Sequence, residues 1–455
     1  MTRLKLLLLC LLLTGLGSAA LARADGGGST DNEPFFPRAD NRDYDVSSYT
    51  VRLRYAPGSG RVRATTTIAA TAQQSLSRFS LDLYGLHVSK VMVDGEGAGF
   101  HRGRGKLKVE PARRIPDGTS FMVAVSYDGR PRRVIDPDGT SEGWNRTDDG
   151  ALAVGEPDGT PAWIPCNDSL TDKASFDFAI TVPAELTAVA NGWKRPVEHS
   201  GGLATFGWRQ REPMAPYLAL LDIGRGTLVS GGGGGHPAWT LVDPRYAGHQ
   251  RALKSLPTAI HFISSLFGPY PFETAGSVVD YAPHLGYALE TQTRPIYAFA
   301  PDVATLVHET AHQWFGDSVG IERWPEIWLN EGFATWTQWF YAEHHGGPTV
   351  AKTFLRLYAT PASDHAFWDP PSGRPGTPQH LFGSSVYARG GMALQALREE
   401  IGTRHLLTAM RLWATGHRYA NGTIAEFEAL AEDVAGENLK PLFRRWLYQP
   451  GKPPL

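Results

Sequence analysis

Two cysteines in 455 residues are too few to staple a fold. Cys10 lies inside the apolar run Leu6 to Leu13, so a chain that loses this segment keeps Cys166 alone and forms no intrachain disulfide. Neither cysteine follows that run at a cleavage point, where a lipid-bearing cysteine would stand. Net charge is equally scarce. The 44 Lys and Arg against 46 Asp and Glu leave −2, with no electrostatic footprint for nucleic acid. Past the amino terminus no stretch reaches the roughly 20 apolar residues of a membrane-spanning helix. No repeat recurs at a period of about 20 to 50 residues, which excludes solenoids and propellers.

What is present starts with Arg3 and Lys5 ahead of Leu6 to Leu13, then small residues ending in Ala22-Arg23-Ala24. That layout reads as a signal peptide over residues 1–24, and it predicts a secreted protein without stable membrane insertion after cleavage. Residues 25–41 read as a flexible leader. From there apolar and polar residues alternate: Val51, Leu53, Tyr55; Phe79, Leu81, Leu83; Val91, Val93; Phe121, Val123, Val125. Period-two alternation broken by Gly, Pro and Asp predicts half-buried antiparallel strands, hence a β-sandwich or saddle-like domain over 42–230. It is expected to continue through Phe176 to Val182 and Tyr217 to Ile223. The run Gly231 to Gly235 reads as a linker or loop over 231–236. Beyond it the period changes to helical at Leu253, Leu256, Ile260, Ile263 and Leu266, and again at 303–315, 327–341, 392–397 and 424–430, so 237–455 is expected to be a mainly helical domain.

The chemistry centres on His308-Glu309-Thr310-Ala311-His312. Residues four apart share a helix face, so both imidazoles can reach one ion, while Glu309 is offset enough to contact a water on that ion without ligating it. Glu331 follows His312 after eighteen intervening residues, on a second helical stretch. A carboxylate there completes three protein ligands and leaves a fourth position for water, the coordination of a catalytic zinc rather than a structural one. Two imidazoles and a carboxylate suit zinc best, one ion per chain.

The blocks HETAHQWFG (308–316) and WLNEGFA (328–334) resemble the aminopeptidase N and leukotriene hydrolase family of gluzincin metallopeptidases. Phe267 to Phe272 (FGPYPF), Trp163 to Asp168 (WIPCND) and Trp446 to Gly451 (WLYQPG) are similar to further family blocks, so the likeness runs from about Tyr44 to the end. The resemblance implies an α+β multidomain fold with an amino-terminal β domain and a thermolysin-like catalytic domain. It implies that Tyr387, in Ser384 to Gly390, stabilises the oxyanion. It places Gly286, Ala288 and Glu290 in the substrate cleft, with Glu290 pairing the α-amino group of a peptide. Tyr287, inserted after Gly286, and Thr291, in place of the family's asparagine, depart from that cleft element. The long carboxy-terminal helical domain of many relatives is not represented, from which a more open cleft is expected.

The expected partner is a peptide or protein substrate; the oligomeric state is not legible. Removal of amino-terminal residues is the favoured activity, an open-cleft oligopeptidase or endopeptidase the alternative, and a catalytically inactive zinc-containing binding protein the third reading. His344 and His345 read as a helix end, His284 as a surface residue, and Trp314, Trp324, Trp328, Trp336 and Trp339 as core around the metal helices. Asn145, Asn167 and Asn421 begin glycosylation sequons that matter only in a glycosylating host.

Overall fold

Strand alternation translates directly into one large sheet. In the computed structural model, which describes residues 33–37, 39 and 41–455, Val51, Leu53 and Tyr55 point inward, as do Phe121, Val123 and Val125, each at most 3% exposed. The expected signal peptide and most of the expected leader lie outside the described residues. The sheet has nine strands, with Trp193–Lys194 at one end, then Leu203–Met214, Ala174–Pro183, Tyr44–Ala56, Arg61–Ala72, Ser120–Gly129, His87–Val93 and Glu96–Gly97, and with Glu198–Ser200 also paired to Leu203–Met214. Its pairings are antiparallel except for Tyr44–Ala56 against Ala174–Pro183, which are far apart in sequence and run parallel in register Val51 to Phe178. A smaller five-stranded sheet brings together Arg133–Ile135, Ser141–Arg146, Ala151–Val154, Leu221–Gly224 and Thr187–Ala190. The segment expected as one strand from Tyr217 starts instead with a short 3-10 turn, Pro216–Leu218, because Pro216 fixes φ and cannot donate to a ladder.

The glycine run is not a linker. Thr227–Gly233 and His236–Val242 form a hairpin that turns at Gly234 and Gly235, with φ of 59° and 98°. Two consecutive residues at positive φ are what a tight hairpin requires and what glycine supplies, so the run closes a ladder instead of connecting domains. The hairpin opens a third sheet, continued by Ala275–Val279, Ile296–Tyr297 and Ala288–Leu289, with Ala288–Leu289 as the last strand. Residues 33–455 form one compact unit.

Eight helices follow: α1 (Leu256–Phe267), α2 (Val303–His312), α3 (Trp328–His344), α4 (Val350–Tyr358), α5 (His365–Trp368), α6 (Gly390–Gly416), α7 (Ile424–Ala435) and α8 (Lys440–Phe443). α6 is interrupted at Gly402, whose φ of 80° takes it out of helical conformation. No helix among the described residues is long and apolar enough to cross a membrane. Side chains tie the sheet half to the helical half through carbonyl groups. Lys173 Nζ donates to the carbonyls of Asp317, Ser318 and Ala420, at 3.1, 3.1 and 3.0 Å. Arg294, buried beneath the Trp208 ring, donates to the carbonyls of Ala190, Gly192 and Trp239. At the amino end Glu33 Oε2 accepts from the backbone N–H of Trp324 at 2.9 Å, just ahead of α3.

Candidate active site

α2 begins where Asp302 accepts from the Thr305 N–H at 2.8 Å, an N-cap that fixes the helix start and therefore which face carries His308 and His312. The chain leaves α2 through Gly316, whose φ of 134° would strain any other residue. α3 follows the turn Trp324–Glu326 and presents Glu331 from its first turn. The two helices pack closely, and three ligand atoms meet. His308 Nε2 lies 3.2 Å and His312 Nε2 3.4 Å from Glu331 Oε2, and the two Nε2 atoms are 3.1 Å apart. Donors about 2.0 to 2.1 Å from a tetrahedral ion stand about 3.3 Å from one another, so this triangle has the edge length of one face of a zinc coordination sphere.

The donor chemistry fits as well. His312 Nδ1 is 3.0 Å from the Phe315 carbonyl, which can only accept, so the proton sits on Nδ1 and the Nε2 lone pair faces the trio. The trio is buried, with His308 at 9%, His312 at 1% and Glu331 at 2% exposure. Burial works against a charged Glu331, but His312 and His308 outweigh it and push its carboxyl down to about 2. Burial likewise opposes a charged His312, yet Glu290 and Glu331 raise its pKa well above the usual imidazole value. A dication in the triangle would take over the role of that proton.

Glu309 stands outside the trio, its carboxylate within 4.8 Å of His312 and Glu290 donor atoms, and burial lifts its pKa well above the carboxylate range against the pull of His312. That position suits a base acting through one water. Tyr387 lies in a π-helical turn, Ser385–Arg389, that runs into α6. Its ring stacks on His308 with centroids 5.9 Å apart, and burial raises its phenol pKa well above the ordinary value, so it remains a proton donor. The approach of this turn to α3 depends on two glycines. A Cβ on Gly390 would lie 2.7 Å from Trp328 Cδ1 and 3.1 Å from Gly332 Cα, and one on Gly332 would lie 2.5 Å from Trp328 Nε1. Trp328 Nε1 donates to the Gly390 carbonyl across the same contact at 3.1 Å.

Glu290 follows the edge strand Ala288–Leu289 and is 2% exposed, with Oε1 lacking a hydrogen-bond partner and 3.9 Å from His312 Nδ1. Ala288 lines a cavity of about 270 Å³ beside Tyr387, whereas Gly286, at φ of 72°, is exposed at the turn leading to the strand. Three contributors carry no signal in sequence spacing. Glu156, from the sheet half, brings a carboxylate oxygen within 4.8 Å of Glu290 and Glu331 and has a buried, unpartnered Oε1. Gln313 locks the cleft strand to α2 by donating to the Glu290 carbonyl at 2.8 Å and accepting from the Thr293 N–H at 2.8 Å. Thr291, the departure from the family pattern, is buried and donates to the Arg294 carbonyl at 2.7 Å, so it shapes the loop after Glu290.

The remaining sequence features take unremarkable places. His344 and His345 bond through Nδ1 to the carbonyls of Phe340 and Tyr341, one turn back on α3. His284 is exposed. Four of the five tryptophans are buried and Trp339 is half-buried. Asn145 and Asn167 are each 1% exposed, which leaves no room for a glycan, and the Asn421 amide donates to the carbonyls of Leu170 and Ile321.

Residues 290–446 match the model of the peptidase family M1 domain, a span that holds Glu290, Glu309, Tyr387 and the ligand trio. Aminopeptidase M1-C of Oryza sativa subsp. japonica is 28% identical over 319 residues, 64% of this chain and 36% of the relative. Aminopeptidase M1 of Arabidopsis thaliana is 25% identical over 67% of this chain and 37% of its own length. The chain thus spans about a third of the length of these curated relatives. Among solved structures, the M1 zinc metallopeptidase from Deinococcus radiodurans superposes with a TM-score of 0.83 at 27% identity, covering 92% of this chain and 97% of that one. A two-domain M1 zinc metallopeptidase variant bound to L-arginine gives a TM-score of 0.84, with 92% and 98% covered. The matched domain carries the ligand triangle, and the likeness of fold extends through the sheet half as well, so the chain resembles the M1 zinc metallopeptidases in both halves.

Proposed function

We propose that the protein is a zinc-dependent aminopeptidase that hydrolyses the first peptide bond of peptides with a free amino terminus. The observation that carries this reading is the pair of buried carboxylates, Glu156 and Glu290, each with an unpartnered oxygen and both within 4.8 Å of the ligand carboxylate Glu331. Unpaired buried acids call for a cation. A substrate α-ammonium beside the metal ligands supplies one and places the first peptide bond at the reacting centre. An endopeptidase has no use for such a pair, since its substrate is neutral there.

Zinc held by His308, His312 and Glu331 would supply Lewis acidity at the scissile carbonyl and lower the pKa of water. Glu309 takes the proton from the attacking water and delivers it to the leaving amine, and its burial favours both transfers. The Tyr387 hydroxyl donates to the carbonyl oxygen as negative charge develops there. The edge strand Ala288–Leu289 offers backbone groups to an extended peptide, with Gln313 holding that edge in place.

The test compares one peptide with a free and an acetylated amino terminus, with and without chelator. Cleavage of the free form alone, abolished by chelation and restored by zinc, supports the proposal. Equal cleavage of both forms would establish the endopeptidase, and chelator-insensitive or absent turnover the binding protein. The layout of residues 1–24 further supports export; recovery of the chain from the medium, starting near Asp25, tests it.

A further inference from the structure

We propose that the cavity beside the ligand trio selects peptides whose first residue is cationic, arginine or lysine, with Asp138 facing the charge. This rests on the aminopeptidase reading and adds a substrate class to it.

The cavity, about 270 Å³, has chemically distinct ends. Buried Glu156 and partly buried Tyr387 line it toward the metal ligands, whereas Asp138, also in its lining, is exposed. Tyr287, Leu289 and Phe382 add apolar surface to the same lining. With Glu156 and Glu290 assigned to the α-ammonium, Asp138 is the acid left for a side chain. A cavity that combines apolar side chains with an exposed carboxylate suits a long aliphatic stem with a charged tip. Among the described residues, no Lys, Arg or His lines this cavity.

The Asp138 carboxylate is held in position but not neutralised. Its Oδ1 accepts from the Thr140 N–H at 2.8 Å and the Thr140 hydroxyl at 2.7 Å, which fixes the side chain without supplying a positive charge. No ion pair involves Asp138 among the described residues. Arg132, close in sequence, is engaged elsewhere, over the Tyr84 ring. Behind the cavity wall, Asp136 and Glu142 are buried and lie within 4.8 Å of Asp158 and each other. The field reaches the wall itself. After burial, Glu142, Asp136, Glu156 and Asp138 are the groups that raise the pKa of the Tyr287 phenol. A cationic side chain is attracted by the Asp138 carboxylate, a neutral one is tolerated, and an acidic one is repelled.

The experiment measures kcat/KM on amide substrates of arginine, citrulline, leucine and glutamate with the zinc-loaded enzyme. Citrulline keeps the length and hydrogen-bonding groups of arginine without its charge, so it separates charge from size. The expected order is arginine above citrulline and leucine, by about fivefold for one partly exposed ion pair, with glutamate last. Asp138→Asn should reduce the arginine-to-citrulline ratio toward one, and Asp138→Lys should raise glutamate above arginine. Unfolding midpoints show that both variants are folded. Equal rates on arginine and citrulline, or a ratio unmoved by Asp138→Asn, overturn the proposal while leaving the aminopeptidase standing. Absence of cleavage of every free-amine substrate, with an acetylated peptide cut, overturns the aminopeptidase reading itself and this inference with it.

Discussion

The contact between Gly332 and Gly390 gives the sharpest prediction, because it sets the distance between the ligand helix and the turn that carries Tyr387. Ordinary carbon contacts lie at about 3.5 to 4.0 Å. A methyl at Gly390 would meet Trp328 Cδ1 at 2.7 Å and Gly332 Cα at 3.1 Å, so Gly390→Ala must move the start of α6 away from α3 by about 1 Å. Trp328 is fully buried and its Nε1 is already committed to the Gly390 carbonyl, so it has little freedom to yield. Overpacking of this kind costs about 1 to 3 kcal/mol, partly offset by about 0.5 to 1 kcal/mol from replacing glycine in a helix. The net expectation is a destabilisation of up to about 2.5 kcal/mol. Tyr387 moves with the helix start while all three metal ligands stay on α2 and α3. Metal content should therefore remain at one per chain while kcat falls about 100-fold, the cost of misplacing a transition-state donor by about 1 Å. Denaturant titration, metal analysis and steady-state kinetics on one preparation read all three quantities. Gly416→Ala, where a methyl meets nothing within 4 Å, is the control. If Gly390→Ala retained wild-type kcat and stability, the claim that this contact positions Tyr387 would be wrong.

Four further outcomes are expected. Glu309→Gln should keep the metal and lose about 10²- to 10⁴-fold in kcat, measured on zinc-reconstituted protein; full activity would remove the residue from its role as base. Glu331→Ala should lose metal affinity, visible as substoichiometric zinc after dialysis, since it takes one edge-forming donor out of the triangle. Tyr387→Phe should reduce kcat by about 10²- to 10³-fold with KM little changed, the signature of a donor used in the transition state. Asp222→Asn should raise the unfolding midpoint at pH 7 to 8. Asp222 is 1% exposed, burial lifts its carboxyl well above the usual range, and neighbouring Asp280, desolvated in turn, is pushed up to about 6. Raised folded-state values mean that the unfolded chain releases these protons first, so stability is full below about pH 4 and declines as pH rises through 6 and beyond. The gain from Asp222→Asn should accordingly vanish toward pH 4, and a gain independent of pH would contradict the assignment.

The ligand trio was legible in sequence because a helix turns local spacing into geometry: His308 and His312 stand four positions apart, and a second helical pattern carries Glu331. Strands were legible for the same reason, through alternation at Val51, Leu53 and Tyr55. Sequence could not reveal what depends on chain pairs distant in sequence. Glu156 reaches Glu290 and Glu331 only through the packing of the sheet half, and Gln313 matters because of the Glu290 carbonyl that it meets. The glycine run misled because composition describes entropy and not pairing. Gly231 to Gly233 sit in a ladder whose register is fixed by Ala238, Pro237 and His236 opposite.

Arg294 ties the substrate cleft to the sheet half. It belongs to the loop just after Glu290, yet its guanidinium depends on the carbonyls of Ala190 and Gly192 in the sheet half, as Lys173 depends on those of Asp317, Ser318 and Ala420 in the helical half. Each half thus harbours a cation with acceptors in the other. Expressed alone, either fragment would strand these groups, so melting should be a single cooperative event that expels the ion, and gene shuffling should transmit the pair only as an undivided module.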